Sequence, residues 1–230
     1  GRVSGIAVVV PAAGIGSRFG GELPKQFQSL AGKPILLHVI ERFLLDENVA
    51  RVVVPVAEQL LPAVRQSASD RVTFVAGGAT RQQSVMRGLE QIAEAEIVAV
   101  HDAVRPFFTA ETFLAVVTQA REFGAALPVL PVNDTIHVVD GDEVRQTLDR
   151  SILAAAQTPQ CFQRAILADV LQRAETEGVE GTDEAGLAAR FGYTVKIVKG
   201  DPMNFKITRP EDLAVAEALI LRWSQEQEPS

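Results

Sequence analysis

A glycine-rich loop that carries two cations directly follows the first apolar run of the sequence. Ile6 to Val10 lead into PAAGIGSRFG at 11–20, and Pro-Lys-Gln follows at 24–26. Small residues let a backbone approach a ligand closely, and successive exposed N–H groups form a concavity that accepts phosphate oxygens. Arg18 and Lys25 would place positive charge beside this concavity. The loop thus predicts a phosphate-binding site, with ordinary surface charges as the alternative.

Two common phosphate-binding fingerprints do not fit this loop. A P-loop requires Gly, four residues and then Gly-Lys-Ser/Thr, and the sequence contains no such run. A dinucleotide-binding loop requires Gly-x-Gly-x-x-Gly, but here Gly20 comes one residue late and no acidic residue closes the second apolar run at 52–56. A Rossmann-type dehydrogenase is therefore disfavoured, and a failed nicotinamide-binding titration would exclude it.

A carboxylate stands where a metal ion would meet bound phosphates. Asp102 lies in HDAVRP at 101–106, directly after the fourth apolar run. Mg²⁺ binds through one or two carboxylates together with substrate phosphates, so Asp102 is the predicted metal ligand. The alternatives are a helix cap or an ion pair with Arg105. His101 is expected to be structural, because attack by a phosphate does not require deprotonation of an alcohol.

Three further segments are less specific by themselves. Gly77-Gly78 would let a flat base approach, while Thr80 with Gln83 forms a capping box that starts a helix. Lys206 adds a cation between an apolar strand and a capped helix, and the segment at 182–185 has the form of a helix start with acidic residues.

The elements that must position these loops alternate between strand and helix. Short Val-rich runs, typical of strands buried on both faces, occur at 6–10, 51–56, 72–76, 97–101 and 125–130, with a later strand at 194–198. Apolar residues at helical spacing lie between and after them: Leu36, Leu37, Ile40 and Leu44; Phe113, Val116, Val117 and Ala120; Leu167, Val170, Leu171 and Ala174. The alternation predicts an α/β fold with a doubly wound, mainly parallel sheet.

One segment interrupts this alternation. Residues 134–149 read as a β-hairpin around Asp140-Gly141-Asp142, within an arm predicted over 134–158 of a single domain spanning 1–230. Unpaired strand edges favour pairing with another chain, so the arm predicts a homodimer.

Composition excludes several classes of protein. A net charge of −7 and an isoelectric point near 5.1 argue against a nucleic-acid-binding protein. No apolar run approaches the roughly 18 residues of a membrane helix, and nothing resembles a signal peptide. The single cysteine, Cys161, permits neither an intrachain disulfide nor a cysteine-based zinc cluster, which suits a cytoplasmic protein. We expect Cys161 to be a packing residue.

Considered together, the motifs form an ordered series. They are PAAGxGxR to PKQ at 11–26, HDAxRP at 101–106, Asp149-Arg150, TPQ at 158–160, TDEA at 182–185 and KITRPEDL at 206–213. From about residue 6 to 221 the chain resembles the 2-C-methyl-D-erythritol 4-phosphate cytidylyltransferase family of the non-mevalonate isoprenoid pathway. The resemblance implies a Rossmann-like nucleotidyltransferase fold, an arm that interlocks two subunits, Mg²⁺, and transfer of the cytidylyl group of CTP to a sugar-alcohol phosphate with release of pyrophosphate.

The resemblance also implies residue roles. Arg18 and Lys25 would stabilise the pentacoordinate α-phosphorus, Arg150 and Lys206 would assist catalysis, and Asp102 would hold the metal. The nucleotide-binding positions are Pro11, Ala12, Ala13, Gly14, Gly16, Gly78, Ser84, Asp102 and Ala103. The acceptor-binding positions are Arg105, Thr135, Arg150, Thr182 and Lys206, with Thr135 and Arg150 coming from the partner subunit.

Two alternatives remain open at this point. A ribitol-5-phosphate cytidylyltransferase shares the fold and most phosphate-binding motifs, and acceptor choice depends on pocket shape around Thr135, Arg150 and Thr182. A non-catalytic nucleotide-binding module would bind CTP tightly without forming product.

Overall fold

The fold is built around one eight-stranded sheet. A computed structural model describes residues 5–14 and 23–226. The strands are β1 (Ile6–Val9), β2 (Ser29–Leu30), β3 (Lys33–Pro34), β4 (Val49–Val56), β5 (Val72–Ala76), β6 (Ile97–Val100), β7 (Ala125–Pro131), β8 (His137–Asp140), β9 (Glu143–Thr147), β10 (Ala154–Ala156), β11 (Gln160–Gln163) and β12 (Val195–Lys199). The α-helices are α1 (Ile35–Leu44), α2 (Leu61–Val64), α3 (Arg81–Glu90), α4 (Ala110–Phe123), α5 (Arg164–Glu177), α6 (Glu184–Arg190) and α7 (Pro210–Glu226).

The sheet is mainly parallel, which confirms the predicted architecture. Across it, β5 and β4 lie beside β1, β6 lies on the other side of β1, and β7 with β12 forms the far edge. Two strands of the described sheet are antiparallel to their neighbours. Strand β11 lies between β6 and β7, and β10 pairs with β7. The chain therefore reverses its direction of winding between β1 and β6. Such a switch point opens a crevice at the carboxyl ends of the strands.

Helices cover both faces of the sheet. Val8 and Val10 join one buried cluster with α1 and α4, while Ala7 and Val9 join a second with α3, α5 and α6. Successive side chains of a strand point to opposite faces, so a strand buried on both sides must be apolar throughout. The Val-rich runs predicted as strands all form strands of the sheet.

The predicted buried faces of α4 and α5 are confirmed, and the predicted face of α1 packs on the core with two of its four residues only partly buried. In α1 the buried residues are Ile35, Leu36, Val39, Ile40 and Phe43, and the predicted Leu37 and Leu44 are only half-buried. An aromatic cluster lies beneath the helix. The Phe43 ring stacks on Phe108 at 4.3 Å between centroids and meets the ring of His101 edge-on at 5.1 Å.

The predicted hairpin is present as β8 and β9. His137 faces Thr147 and Asp140 faces Glu143 across the antiparallel pair, and Gly141 turns the chain with a φ of 61°. This φ lies in the left-handed region, where a residue without Cβ is least strained. Every residue of both strands is exposed.

Cys161 is buried in the sheet, and burial raises the pKa of its thiol. A protonated, enclosed thiol is a packing group, as predicted. Within residues 5–14 and 23–226, no helix is both long and apolar enough to cross a membrane.

Phe43→Ala should destabilise the fold by about 3–5 kcal/mol, because the cavity would open against Phe108 and His101. Leu45→Ala is the control, since Leu45 is 75% exposed, and it should cost about 1 kcal/mol or less. Urea unfolding followed by circular dichroism measures both. Equal losses would contradict the packing role of Phe43.

Candidate active site

A cavity of about 680 Å³ opens at the switch point of the sheet. The loops after β1, β5 and β6 form its walls, and the segments around Lys25 and Lys206 close it. The lining contains these predicted site residues: Pro11, Ala12, Ala13, Gly14, Lys25, Gly78, Ser84, Asp102, Ala103 and Lys206. Residues from distant parts of the chain are thus brought together where the sequence predicted. Gly16 and Arg18 lie outside the described residues.

The loop after β1 is held open by a buried glutamine. The Gln26 side-chain amide donates to the carbonyl oxygens of Ala12 and Gly14, both at 2.8 Å. The Ala12 N–H donates to the Pro55 carbonyl at 2.7 Å. The Gln26 amide satisfies the Ala12 and Gly14 carbonyl oxygens, whose partial negative charge would otherwise disfavour a phosphate in the cavity. The sequence placed Gln26 in a motif but did not predict its clamping role.

The loop after β5 packs tightly against the loop after β1. A Cβ added to Gly77 would stand 2.3 Å from the Ala13 Cβ, which no side chain tolerates. The Gly78 N–H donates to the Ser84 hydroxyl at 3.0 Å, and that hydroxyl donates to the Thr80 carbonyl at 3.0 Å. Thr80 also caps α3, as its spacing predicted. Gly77 therefore permits the close approach of the two loops at the cavity wall, and Gly78 permits the close approach of its own loop to Gln83 of α3.

Asp102 lies among three cations of the described residues. Its carboxylate contacts Arg105 Nε at 3.0 Å, Arg81 Nη2 at 3.4 Å and Lys206 Nζ at 3.6 Å. Burial by itself raises the pKa of Asp102, but attraction to Lys206, Arg81 and Arg105 outweighs burial and holds the pKa well below its usual range. The carboxylate is therefore ionised at every physiological pH. The ion pair with Arg105, considered as an alternative to the metal role, does form.

A divalent cation held by Asp102 would depend on further ligands from its substrate. No group of three or more acidic, histidine or cysteine side chains suited to a metal occurs in the described part of the chain. Mg²⁺ can bind through a single protein carboxylate, because it retains several waters and takes phosphate oxygens from a substrate. Asp102, 9% exposed, is such a carboxylate.

His101 is locked in a neutral form beneath Asp102. Its Nε2 lies 2.9 Å from the Arg105 carbonyl, an acceptor, so Nε2 carries the proton and Nδ1 accepts from the Thr158 hydroxyl at 2.9 Å. The same hydroxyl accepts from the Asp102 N–H at 3.0 Å. Burial lowers the pKa of His101 to about 4. His101 is thus structural, as expected, and Thr158 links it to the backbone of Asp102.

An ion pair that the sequence did not predict joins Arg81, at the cavity wall, to Glu184 at the start of α6, outside the cavity lining. Arg81 Nη1 donates to both oxygens of Glu184, at 2.7 and 3.0 Å. In the sequence, Arg81 follows the capping threonine of α3, and Glu184 is a first-turn acid of α6. In the sequence, the one hint of this pair is that the start of α3 carries a positive charge and the start of α6 a negative charge, each a few residues after a glycine. Asp183 caps α6 by accepting from the Gly186 N–H at 2.8 Å.

Several predicted acceptor residues do not line the cavity of their own chain. Thr135, Arg150 and Thr182 are exposed, and Arg150 donates to the Asn133 carbonyl. Arg105 contacts Asp102 and donates to the Asn204 carbonyl at 2.7 Å. Only Lys206 of the predicted acceptor set is part of the cavity lining.

A larger cavity of about 890 Å³ lies between α1, α4 and α7, away from these loops. Its lining has three carboxylates and two guanidinium groups, from Asp46, Glu47, Asp201, Arg42 and Arg222, and no glycine loop. The carboxylates would repel a triphosphate there. The smaller cavity is the better candidate for nucleotide chemistry because cations and backbone N–H groups converge on it.

A doubly wound sheet with a cationic, glycine-walled cavity at its switch point is the arrangement of an α/β nucleotidyltransferase. A family model described as 2-C-methyl-D-erythritol 4-phosphate cytidylyltransferase matches residues 6–222. An enzyme of that name from Halalkalibacterium halodurans is 42% identical over 219 residues, covering 93% of this chain and 96% of the relative.

Solved structures agree with the sequence relatives. The enzyme of the same name from Thermus thermophilus has a TM-score of 0.78 and 36% identity, covering 94% of this chain and 98% of that one. The Francisella tularensis enzyme has a TM-score of 0.82 and 28% identity, covering 94% and 99%. The chain belongs to the 2-C-methyl-D-erythritol 4-phosphate cytidylyltransferase family.

Thr158→Val should lower the free energy of unfolding by about 1–3 kcal/mol, because the Asp102 N–H and His101 Nδ1 would lose their partner in a buried place. Thr158→Ser keeps the hydroxyl and should recover most of the loss. Thr118→Val, at an exposed hydroxyl on α4, is the control. Chemical denaturation measures all three, and a neutral Thr158→Val would contradict the linking role.

Proposed function

We propose that the chain transfers the cytidylyl group of CTP to 2-C-methyl-D-erythritol 4-phosphate, forming 4-diphosphocytidyl-2-C-methyl-D-erythritol and pyrophosphate. One observation carries the proposal: a cavity at the switch point gathers the glycine loop, Lys25, Lys206 and Asp102 in a member of this family. The relatives bear the name of this activity.

The reaction requires charge neutralisation more than proton transfer. An oxygen of the acceptor phosphate forms a bond to the α-phosphorus of CTP, and the bond from that phosphorus to the bridging oxygen breaks as pyrophosphate leaves. The acceptor phosphate is already an anion, so no general base is needed. A neutral His101, hydrogen-bonded on both ring nitrogens, suits such a reaction.

The cations of the cavity would bring two anions together. Lys25 follows the glycine loop and Lys206 stands beside Asp102, so the triphosphate and the acceptor phosphate would each meet a positive charge. Fixed cations in a partly enclosed site oppose the growing charge on pyrophosphate without reorganisation. Arg18 remains a predicted contributor of the same kind.

We further propose that Asp102 holds Mg²⁺. When bound, the ion would neutralise charge on the triphosphate. The chain's own contribution is an ionised carboxylate that Arg81 and Arg105 orient at the cavity wall.

The homodimer is part of the same proposal. On the arm, Val139 is 63% and Val144 is 58% exposed, and Ile152, in the turn after the hairpin, is 82% exposed. Apolar side chains on an isolated two-stranded hairpin are stabilised when a second surface covers them. A partner would also explain why Thr135 and Arg150 lie away from the cavity of their own chain, since each subunit would lend them to the other.

The first test is pyrophosphate release with CTP and Mg²⁺, comparing 2-C-methyl-D-erythritol 4-phosphate, ribitol 5-phosphate and no acceptor. Release with the first acceptor alone is expected. Preference for ribitol 5-phosphate would replace the proposed acceptor. Tight CTP binding without release under any condition would replace catalysis with a binding role.

Lys25→Ala and Lys206→Ala should each lower kcat by about a hundred- to a thousandfold, the usual loss when one fixed donor to transition-state charge is removed. Lys199→Ala is the control, because Lys199 is an exposed lysine at the end of β12 outside the cavity lining. Pyrophosphate release under saturating substrates measures kcat. A near-normal Lys25→Ala enzyme would contradict its assignment.

Light scattering at micromolar concentration should give the mass of a dimer. The double variant Val139→Asp/Val144→Asp should shift the mass toward that of a monomer and reduce turnover, because charges would be forced into the arm interface. Leu114→Asp is the matched control, since Leu114 is 62% exposed on α4. A monomeric wild-type protein with full turnover would refute both the dimer and the sharing of Thr135 and Arg150.

A further inference from the structure

The first turn of α3 is tied to the segment at 179–184, which leads into α6. Gln82 donates from its amide to the Val179 carbonyl at 3.0 Å and accepts from the Gly181 N–H at 3.0 Å. Its neighbour Arg81 holds Glu184 with two hydrogen bonds. Because α3 follows the loop at 77–80 directly, the segment carrying Thr182 cannot move far without disturbing that loop, which lines the cavity.

Glu184 is a buried carboxylate that does not face the cavity. Its side chain is only 2% exposed, and Glu184 is not part of the cavity lining. A buried carboxylate without a cation would be strongly destabilising, and within the described ranges Arg81 is its ion-pair partner. The charge of Glu184 therefore acts on the site through the orientation of Arg81.

The other arm of the Arg81 guanidinium reaches Asp102. Nη1 is held by Glu184 while Nη2 lies 3.4 Å from Asp102 Oδ1. A guanidinium is planar, so fixing one nitrogen in a two-oxygen contact fixes the direction of the other. The Arg81 side chain consequently connects Glu184 of α6 with Asp102, which follows β6.

We propose that Arg81 is a positioning residue. Held by Glu184, it couples the segment at 179–184, which carries the predicted acceptor residue Thr182, to Asp102 and to the loop at 77–80. The inference rests on the proposed function for the identity of the two substrates. It predicts that affinity for the acceptor depends on Glu184. Arg81 also lines the cavity, so the competing role is a direct contact with a nucleotide phosphate.

Kinetics of Glu184→Gln, Arg81→Gln and the double variant separate these roles. Coupling predicts that each single change raises the acceptor KM about tenfold or more. The acceptor KM of the double variant should then exceed that of the worse single variant by about twofold or less, because both changes break the same connection. Independent effects would instead multiply and raise the acceptor KM about a hundredfold. The dissociation constant for CTP, measured calorimetrically without acceptor, should stay within about twofold of wild type in Glu184→Gln.

The matched control is Glu96→Gln/Arg121→Gln, an exposed ion pair of the same residue types near the opposite ends of the strands. It should leave every kinetic constant unchanged. A merely structural role for Glu184 would lower Tm with a wild-type acceptor KM, and that result would overturn the proposal. So would an Arg81→Gln enzyme altered only in its affinity for CTP.

Hydrogen exchange tests the coupling independently of turnover. The Gly181 and Ala185 N–H groups donate to Gln82 and Gln160, so Glu184→Gln should accelerate their exchange in the folded protein by loosening the segment between them. Unchanged exchange in Glu184→Gln would overturn the coupling. If wild type released no pyrophosphate, the proposed function would fail, yet accelerated exchange would still support the network.

Discussion

The site depends on one buried negative charge surrounded by positive ones. Arg81, Arg105 and Lys206 come from three different segments and would repel each other if Asp102 did not stand between them. Their mutual repulsion across a partly buried space is strong because the local dielectric constant is low. Asp102 therefore organises the cations before any substrate enters, and the segments that carry those cations are held in place by the same carboxylate.

The sheet supplies the rigidity that this charge arrangement requires. Asp102 follows β6, a central strand whose four residues are all buried and whose neighbours on both sides are hydrogen-bonded to it. Below it, the chain of hydrogen bonds from the Asp102 backbone through Thr158 to His101 fixes the turn, and Phe43 packs against the His101 ring. Close packing of the protein interior therefore keeps the Asp102 carboxylate in contact with its partners.

This arrangement has a direct bearing on the chemistry of a nucleotidyltransferase. Joining a phosphate to a triphosphate forces anions together, and cations that are already fixed lower the cost of that approach. Asp102 and Glu184 offset two of the three positive charges in the free protein, which reduces the repulsion among the cations. Phosphates entering the cavity would meet cations that are already in place, so the cations would not need to travel.

Local sequence patterns were sufficient to predict the Val-rich strands and β12, the buried faces of α4 and α5, the hairpin of β8 and β9, and the glycine loop with Lys25 and Asp102 at one edge of the sheet. Periodicity within one element and the shared edge at which parallel strands end specify these features. The family resemblance, not a local pattern, placed Lys206 in the same site. The rest of the buried face of α1, the Gln26 clamp on the loop after β1, and the support that Thr158 gives Asp102 from 56 residues away emerged only when the elements were packed together. The same is true of the pair between Arg81 and Glu184, 103 residues apart. Such contacts depend on how separate elements approach each other in space, and no residue pattern within one element encodes that approach.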